Sequence, residues 1–182
     1  MNYVEPIRDV TVLENMCDYL EKTNERNLVL FQMGIYTGLR VSDILKLRVK
    51  DVKNKKQLTI KENKTGKKKI IMINPILKKT LNHYCSDKKD NEFLIKSRNG
   101  YNNPLCRERA YQIIKELGDM FGIDDLGTHS MRKTFGYHYY QQTKDIAFLQ
   151  KIFNHSSPAI TLRYIGIEQD YQDRAYNRFR YW

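Results

Sequence analysis

Apolar residues recur at helical spacing in the first third of the chain. Over residues 11–22 they fall on one face of a predicted helix. Residues 27–36 are almost continuously apolar, which predicts a central buried helix that ends at Gly38. Ser42 is then expected to cap a short helix. The chain therefore begins as a helical domain.

The pattern changes between residues 49 and 73. Two short apolar runs, residues 58–60 and 70–73, flank the sequence Asn63-Lys64-Thr65-Gly66. Runs of this kind around a glycine-containing turn predict a β-hairpin. Residues 93–95 predict a third short strand. These strands form the small β part of the fold.

The remainder of the chain is predicted to be helical, with a proline or a capping side chain at each helix start. The predicted helices cover residues 75–84, 103–121, 128–140, 145–153 and a segment that begins at Ser157-Pro158 and includes Tyr164. No internal repeat or Pro/Gly-rich linker divides residues 1–182. The sequence thus predicts a single, mostly α (α+β) domain with a small antiparallel β-hairpin sheet.

Composition narrows the class of partner. Lys and Arg number 32 against 21 Asp and Glu, a formal net charge of +11. This surplus favours a polyanionic partner such as nucleic acid, although a lysine-rich composition can also carry no function. No apolar run is long enough to cross a bilayer and no signal peptide begins the chain, so a cytoplasmic protein is expected.

Cysteine usage gives no sign of a metal site. Cys17, Cys85 and Cys106 are far apart, and no His/Cys group has zinc spacing. Free thiols are expected, with no disulfide framework, no structural metal and no cofactor.

Four short segments carry chemically useful side chains. Arg40 follows a glycine bend, where it can be held rigidly, and Lys64 lies at the hairpin tip, where it can reach a bound backbone. His129-Ser130-Met131-Arg132 places an imidazole and a guanidinium on one helical face, a pairing that can move a proton and clamp phosphate oxygens. His155 precedes Tyr164 by nine residues. Taken singly, Arg40 and Lys64 are better explained as surface residues, the His-x-x-Arg pair is weak evidence of a site, and Tyr164 can equally be a core aromatic residue.

The order of these segments resembles the active-site signature of the tyrosine recombinases, also called the phage integrase family. The strings TGLRVSDILKL, NKTGKKKIIMI, THSMRKTFGYHYY and LQKIFNHSSPAITLRYIGI each look like one of the family's motifs. The resemblance covers about residues 11–167. It implies the tyrosine recombinase catalytic-core fold.

The chain departs from the family pattern in three respects. Asn154 occupies a position where glycine is usual, and asparagine also tolerates left-handed backbone. Lys133 follows the His-x-x-Arg motif where many members have histidine. The N-terminal core-binding domain of most members is absent from residues 1–182, so these residues form a catalytic domain that is either a fragment of a longer recombinase or similar to the compact members that lack the additional domain.

The resemblance implies an enzyme that breaks and rejoins DNA. Tyr164 would attack a phosphodiester and form a 3′-phosphotyrosyl link, with His129 as proton acceptor and Lys64 as general acid. Arg40 and Arg132 would stabilise the transition state. The other implied roles are a phosphate hydrogen bond from His155, support from Asp43, and DNA contacts from Lys67, Lys68, Lys69 and Lys133.

The implied partners are double-stranded DNA and further copies of the chain, as a tetramer on DNA. No metal, ATP, membrane or small-molecule substrate is expected. Residues 168–182, an aromatic and arginine-rich tail, either dock on a neighbouring protomer or pack back on the same chain. A site-specific recombinase or integrase of a mobile element is the main interpretation; a non-catalytic DNA-binding module and a type IB-like topoisomerase are the alternatives.

Overall fold

The computed structural model describes residues 4–61 and 66–182, which are mostly helical with a two-stranded antiparallel sheet. This confirms the predicted fold class. The helices are α1 (Val10–Thr23), α2 (Glu25–Thr37), α3 (Val41–Ile44), α4 (Val49–Val52), α5 (Pro75–Cys85), α6 (Arg107–Met120), α7 (Thr128–Thr143), α8 (Ile146–Phe153), α9 (Pro158–Tyr164) and α10 (Ile167–Arg178). The strands are β1 (Gln57–Lys61) and β2 (Lys68–Met72). None of the helices in the described residues is both long and apolar enough to span a membrane.

Most helix ends follow the predicted capping chemistry. The side chains of Asp145 and Ser157 accept hydrogen bonds from backbone N–H groups in the first turns of α8 and α9. Gly38 ends α2 in the left-handed conformation with φ of 64°. Asn154 adopts the same conformation after α8, with φ of 56°. Asn154 therefore adopts the left-handed backbone conformation that glycine would adopt at this position of the family pattern.

Three predicted helix starts were wrong. Thr128, the expected cap of α7, is its first helical residue, and Gly127 occupies the N-cap position. Ser42 does not cap α3, because the helix begins at Val41 and Arg40 occupies its N-cap position, two residues before Ser42. The helix expected from Asn103-Pro104 begins only at Arg107. The intervening backbone is instead extended, since Leu105 donates its N–H to the carbonyl of Ile95.

The predicted third strand at residues 93–95 was also wrong. Phe93 forms an isolated bridge with Arg48, and Lys96 forms another with Pro104. Leu94 and Ile95 are fully buried. The apolar run therefore reflects burial of an irregular segment in the core, a case that apolar periodicity alone cannot separate from a strand.

The central helix α2 is buried as predicted and contacts α1, α5 and α7. A Cβ atom on Gly34 would lie 2.5 Å from the Cβ of Met131, so α2 and α7 approach too closely for any other residue there. This close approach matters for the site. It brings Arg40, just after α2, near Arg132, which follows Met131 on α7.

The hairpin packs on the same core through one face. Leu58 pairs with Ile71, and Leu58 and Ile60 are buried. Lys69 donates a hydrogen bond from its ammonium group to the carbonyl of Ile152 at the end of α8. The hairpin is thus tied to the helix that leads into the segment with His155.

Candidate active site

Two arginines from different helices define one end of the site. Arg132 is only 4% exposed, and its guanidinium donates to the carbonyl of Gly38 and lies 4.4 Å from the centre of the Phe153 ring. Arg40 is partly buried at the junction of α2 and α3. Their positive charges both act on His129, His155 and Tyr164.

Tyr164 lies in the last turn of α9, among aromatic side chains. Its ring centre is 5.4 Å from that of Phe153 and 5.1 Å from that of His155. Burial raises the pKa of the phenol, while the charge of Arg132, a side-chain hydrogen bond with Arg132 and the charge of Arg40 act in the opposite direction. Burial outweighs the two arginines, so the pKa of the phenol stays above its ordinary value, although both guanidinium charges favour the ionised form.

The two histidines reach the site from different elements. His129 is in the first turn of α7, and His155 follows α8. Burial, followed by the positive charges of Arg132, Lys133, Arg40 and Arg107, lowers the pKa of His129. Burial and the charges of Arg132 and Arg40 also lower the pKa of His155. Both imidazoles are consequently biased toward the neutral form.

The structure brings together five of the six predicted catalytic residues: Arg40, His129, Arg132, His155 and Tyr164. Lys64 lies outside the described residues. The predicted supporting residue, Asp43, is buried in α3, and its N–H bonds the carbonyl of Arg40. It is therefore one turn from the first arginine.

The predicted DNA-binding lysines differ in their placement. Lys67 and Lys68 are exposed at the start of β2, whereas Lys69 is partly buried and bonded to α8. Lys133 is 9% exposed and directed inward. Its ammonium group donates to the carbonyl of Val4 over 2.7 Å and lies 5.2 Å from the Tyr164 ring centre. In this arrangement Lys133 supports the wall of the site and does not present a surface charge.

Sequence reasoning missed two residues that shape the site. The ring of Phe153 underlies both Arg132 and Tyr164. The Thr161 hydroxyl lies 3.0 Å from Nδ1 of His155. Phe153 gave no chemical signal because it belongs to an apolar run. The spacing of Thr161, three residues before Tyr164, offered a signal, since it places the two on one helical face.

Chemically, this arrangement suits a tetrahedral anion. Two guanidinium groups can bind its oxygens, two neutral imidazoles can accept or donate protons, and a phenol lies against His155 and Arg132. A phosphate or phosphodiester is the substrate group that such a set of donors fits best.

The chain matches the phage integrase family over residues 8–170. It is 49% identical over 179 residues to the "Probable integrase/recombinase YoeC" of Bacillus subtilis (strain 168), with 98% of each chain covered. It is 30% identical over 161 residues to the tyrosine recombinase XerA of Pyrococcus furiosus, covering 87% of this chain and 55% of XerA. The chain belongs to the phage integrase family.

Solved structures agree on the fold. A crystal structure of XerA recombinase superposes with a TM-score of 0.73 at 22% identity, covering 98% of this chain and 68% of that one. A lambda integrase dimer bound to a core site superposes with a TM-score of 0.68 at 19% identity, covering 91% and 48% of the two chains. The domain therefore has the fold of a tyrosine recombinase catalytic domain.

Proposed function

We propose that this protein is a site-specific DNA recombinase that cleaves and rejoins strands through a phosphotyrosyl intermediate on Tyr164. The observation that carries the proposal is the convergence of Arg40 and Arg132 on the Tyr164 phenol. A phenol with an ordinary pKa of about 10 is a weak nucleophile at neutral pH, so it needs electrostatic help and a base. The site offers both.

Each residue then has a role that its chemistry suits. Arg40 and Arg132 bind the non-bridging oxygens and neutralise the charge that grows in the transition state. His129 accepts the phenolic proton, and His155 donates a hydrogen bond to the phosphate. Lys64 remains the proposed general acid for the departing 5′-oxygen. Asp43 is proposed to support the turn that holds Arg40.

DNA is the proposed partner. Exposed Lys67 and Lys68 are suited to phosphate contacts, and the net charge of +11 supports attraction to a polyanion. Among the structural relatives, XerH was solved bound to its difH substrate and lambda integrase bound to a core site. Integration of a mobile element in the cytoplasm is the proposed context.

The test is covalent capture. The protein is incubated with a nicked DNA substrate taken from the flanks of its own gene, so that a cleaved fragment is lost and rejoining is blocked. We expect an SDS-resistant protein–DNA adduct, and peptide mass spectrometry should place the nucleotide remnant on Tyr164. Binding without any adduct would favour a DNA-binding module. Relaxation of a supercoiled plasmid that lacks the site would favour a topoisomerase.

The rate of adduct formation should depend little on pH in mildly acidic solution. Since the pKa of His129 is lowered, its neutral, proton-accepting form persists as the pH falls through the ordinary histidine value of about 6.5. We expect the single-turnover rate to change little from about pH 7.5 to about pH 6.5 and to fall below that range. His129→Gln should remove this acid limb. A rate that already halves near pH 7 would contradict the assignment.

The tail is proposed to dock on a second protomer and so to build a tetramer on DNA. Its aromatic side chains, Tyr176, Phe179, Tyr181 and Trp182, are all exposed, which supports docking over packing on the same chain. A groove of about 870 Å³ between α1, α2, α5 and α7 offers a complementary surface. Its acidic lining residues are Glu14, Asp18, Glu21 and Glu25, and its apolar ones include Leu13, Ile35 and Phe135.

Assembly on DNA tests the docking proposal. Removal of residues 179–182, or Asp18→Lys in the groove, should reduce the tetramer formed on paired sites, because each removes one side of a charged, aromatic contact. Sedimentation velocity with labelled DNA measures this directly. Asp119→Lys, an exposed change on α6 outside the groove, is the matched control. Unchanged assembly in both variants would refute the docking.

A further inference from the structure

One hydrogen bond links the second histidine to the helix of the nucleophile. Nδ1 of His155 lies 3.0 Å from the hydroxyl oxygen of Thr161, and Thr161 is fully buried. Thr161 and Tyr164 are one turn apart on α9. The contact therefore joins two groups of the proposed active site through a side chain that takes no part in the chemistry itself.

The hydroxyl has a single proton and two acceptors within reach. The carbonyl of Ser157 is 3.4 Å away, well beyond the usual length of an O–H···O bond, whereas Nδ1 is at 3.0 Å. The Ser157 carbonyl also receives the backbone N–H of Thr161 at 3.4 Å, so it does not depend on the hydroxyl. The distances favour donation from Thr161 to Nδ1.

We propose that Thr161 is a positioning residue that donates its hydroxyl proton to Nδ1 of His155 and thereby keeps the imidazole proton on Nε2. In a neutral imidazole, the bond made by one nitrogen decides which nitrogen carries the proton. Nε2 then presents an N–H donor to the phosphate. This inference rests on the proposed function, in which His155 donates to the scissile phosphate.

The choice of tautomer matters because of the surrounding charge. Burial, with the positive charges of Arg132 and Arg40, lowers the pKa of His155, so the ring is biased toward its neutral form. In the opposite tautomer, Nε2 would carry a lone pair and would repel a phosphate oxygen. A neutral His155 is therefore useful only if its proton is on Nε2, and Thr161 enforces that state.

Nitrogen-15 NMR of the histidine rings in the full chain tests the proposal. The chain has four histidines, and the His155 signal is assigned from its loss in His155→Gln. We expect Nδ1 of His155 to be unprotonated in the unaltered protein. Thr161→Val, which keeps the shape but removes the hydroxyl, should populate the other tautomer, whereas Thr161→Ser should restore the original one.

The same variants have an expected effect on adduct formation with the nicked DNA. Loss of an outer partner that orients a histidine typically costs about 10- to 100-fold in activity, as known from metal-site ligands, so we expect a loss in that range for Thr161→Val. Thr161→Ser should recover most of the rate.

A His155 proton found on Nδ1 in the unaltered protein would overturn the proposal without any variant. So would an unchanged tautomer in Thr161→Val. Should the tautomer shift as expected while the unaltered protein forms no adduct, the positioning by Thr161 would stand and the proposed function would fail. The two ideas are therefore separable.

Discussion

Tyr164→Phe is expected to abolish the covalent protein–DNA adduct, because it removes the only oxygen that the proposed mechanism uses as nucleophile. The expected loss is complete, down to the detection limit of a gel assay on the nicked substrate. Binding of the same DNA, measured by fluorescence anisotropy, should be retained, since the two arginines and the hairpin lysines are untouched.

The substitution should leave the fold intact. The Tyr164 ring makes its contacts with Phe153 and His155 through its faces and edges, at 5.4 Å and 5.1 Å between centres, and phenylalanine keeps these contacts. The hydroxyl contributes a side-chain hydrogen bond with Arg132. Its loss is expected to cost about 1 kcal/mol of unfolding free energy, which a urea titration can measure.

Tyr139→Phe is the matched control for this experiment. Tyr139 is also a partly buried tyrosine, but it stacks on Phe135 and Phe148 at the far end of α7. Its variant should form the adduct at the normal rate. An adduct that survives in Tyr164→Phe would refute the assignment and direct attention to another of the thirteen tyrosines.

The fold was predictable wherever local chemistry and burial agree. Helix α2 was predictable from the apolar run over residues 27–36, because the length of this run suits a helix. Its end at Gly38 was predictable because glycine adopts positive φ without steric cost. At Asn103-Pro104 the local helix-start signal was overridden. There the backbone pairs with residues 95–97 through two hydrogen bonds across the intervening loop, which the helix-start signal does not encode.

The site was predictable to the extent that its residues have distinctive chemistry. Arg40, His129, Arg132, His155 and Tyr164 stood out because their motifs and their order were recognisable. Lys133 was expected to contact DNA only as part of what the family resemblance implies.

The structure directs Lys133 inward, toward the carbonyl of Val4, a residue 129 positions away in the sequence. Such a contact depends on the packing of the N-terminal segment against α7. It therefore has no local signature. Phe153 was missed for the same reason, since its role depends on the contacts that Arg132 and Tyr164 make with its ring.

Arg132→Lys is expected to lower the single-turnover rate of adduct formation by about 10²- to 10³-fold, the range found when one preorganised transition-state donor is lost. Lysine keeps the charge but not the planar fork. The guanidinium of Arg132 donates to the Gly38 carbonyl and bonds the Tyr164 side chain while it lies on Phe153. A single ammonium group cannot hold these positions and also grip two phosphate oxygens.

The effect should be separable from simple loss of charge or stability. Arg163→Lys, an exposed change in the same helix as Tyr164, is the control and should leave the rate unchanged. A buried polar group left without its partner typically costs about 1–3 kcal/mol, so some loss of unfolding free energy is expected in Arg132→Lys. If its rate stayed within about threefold of the unaltered protein while the fold was intact, charge alone would suffice at this position. The planar fork of the guanidinium would then have no part in the chemistry, because this substitution keeps the positive charge and removes only the paired donors that face Tyr164 and the phosphate.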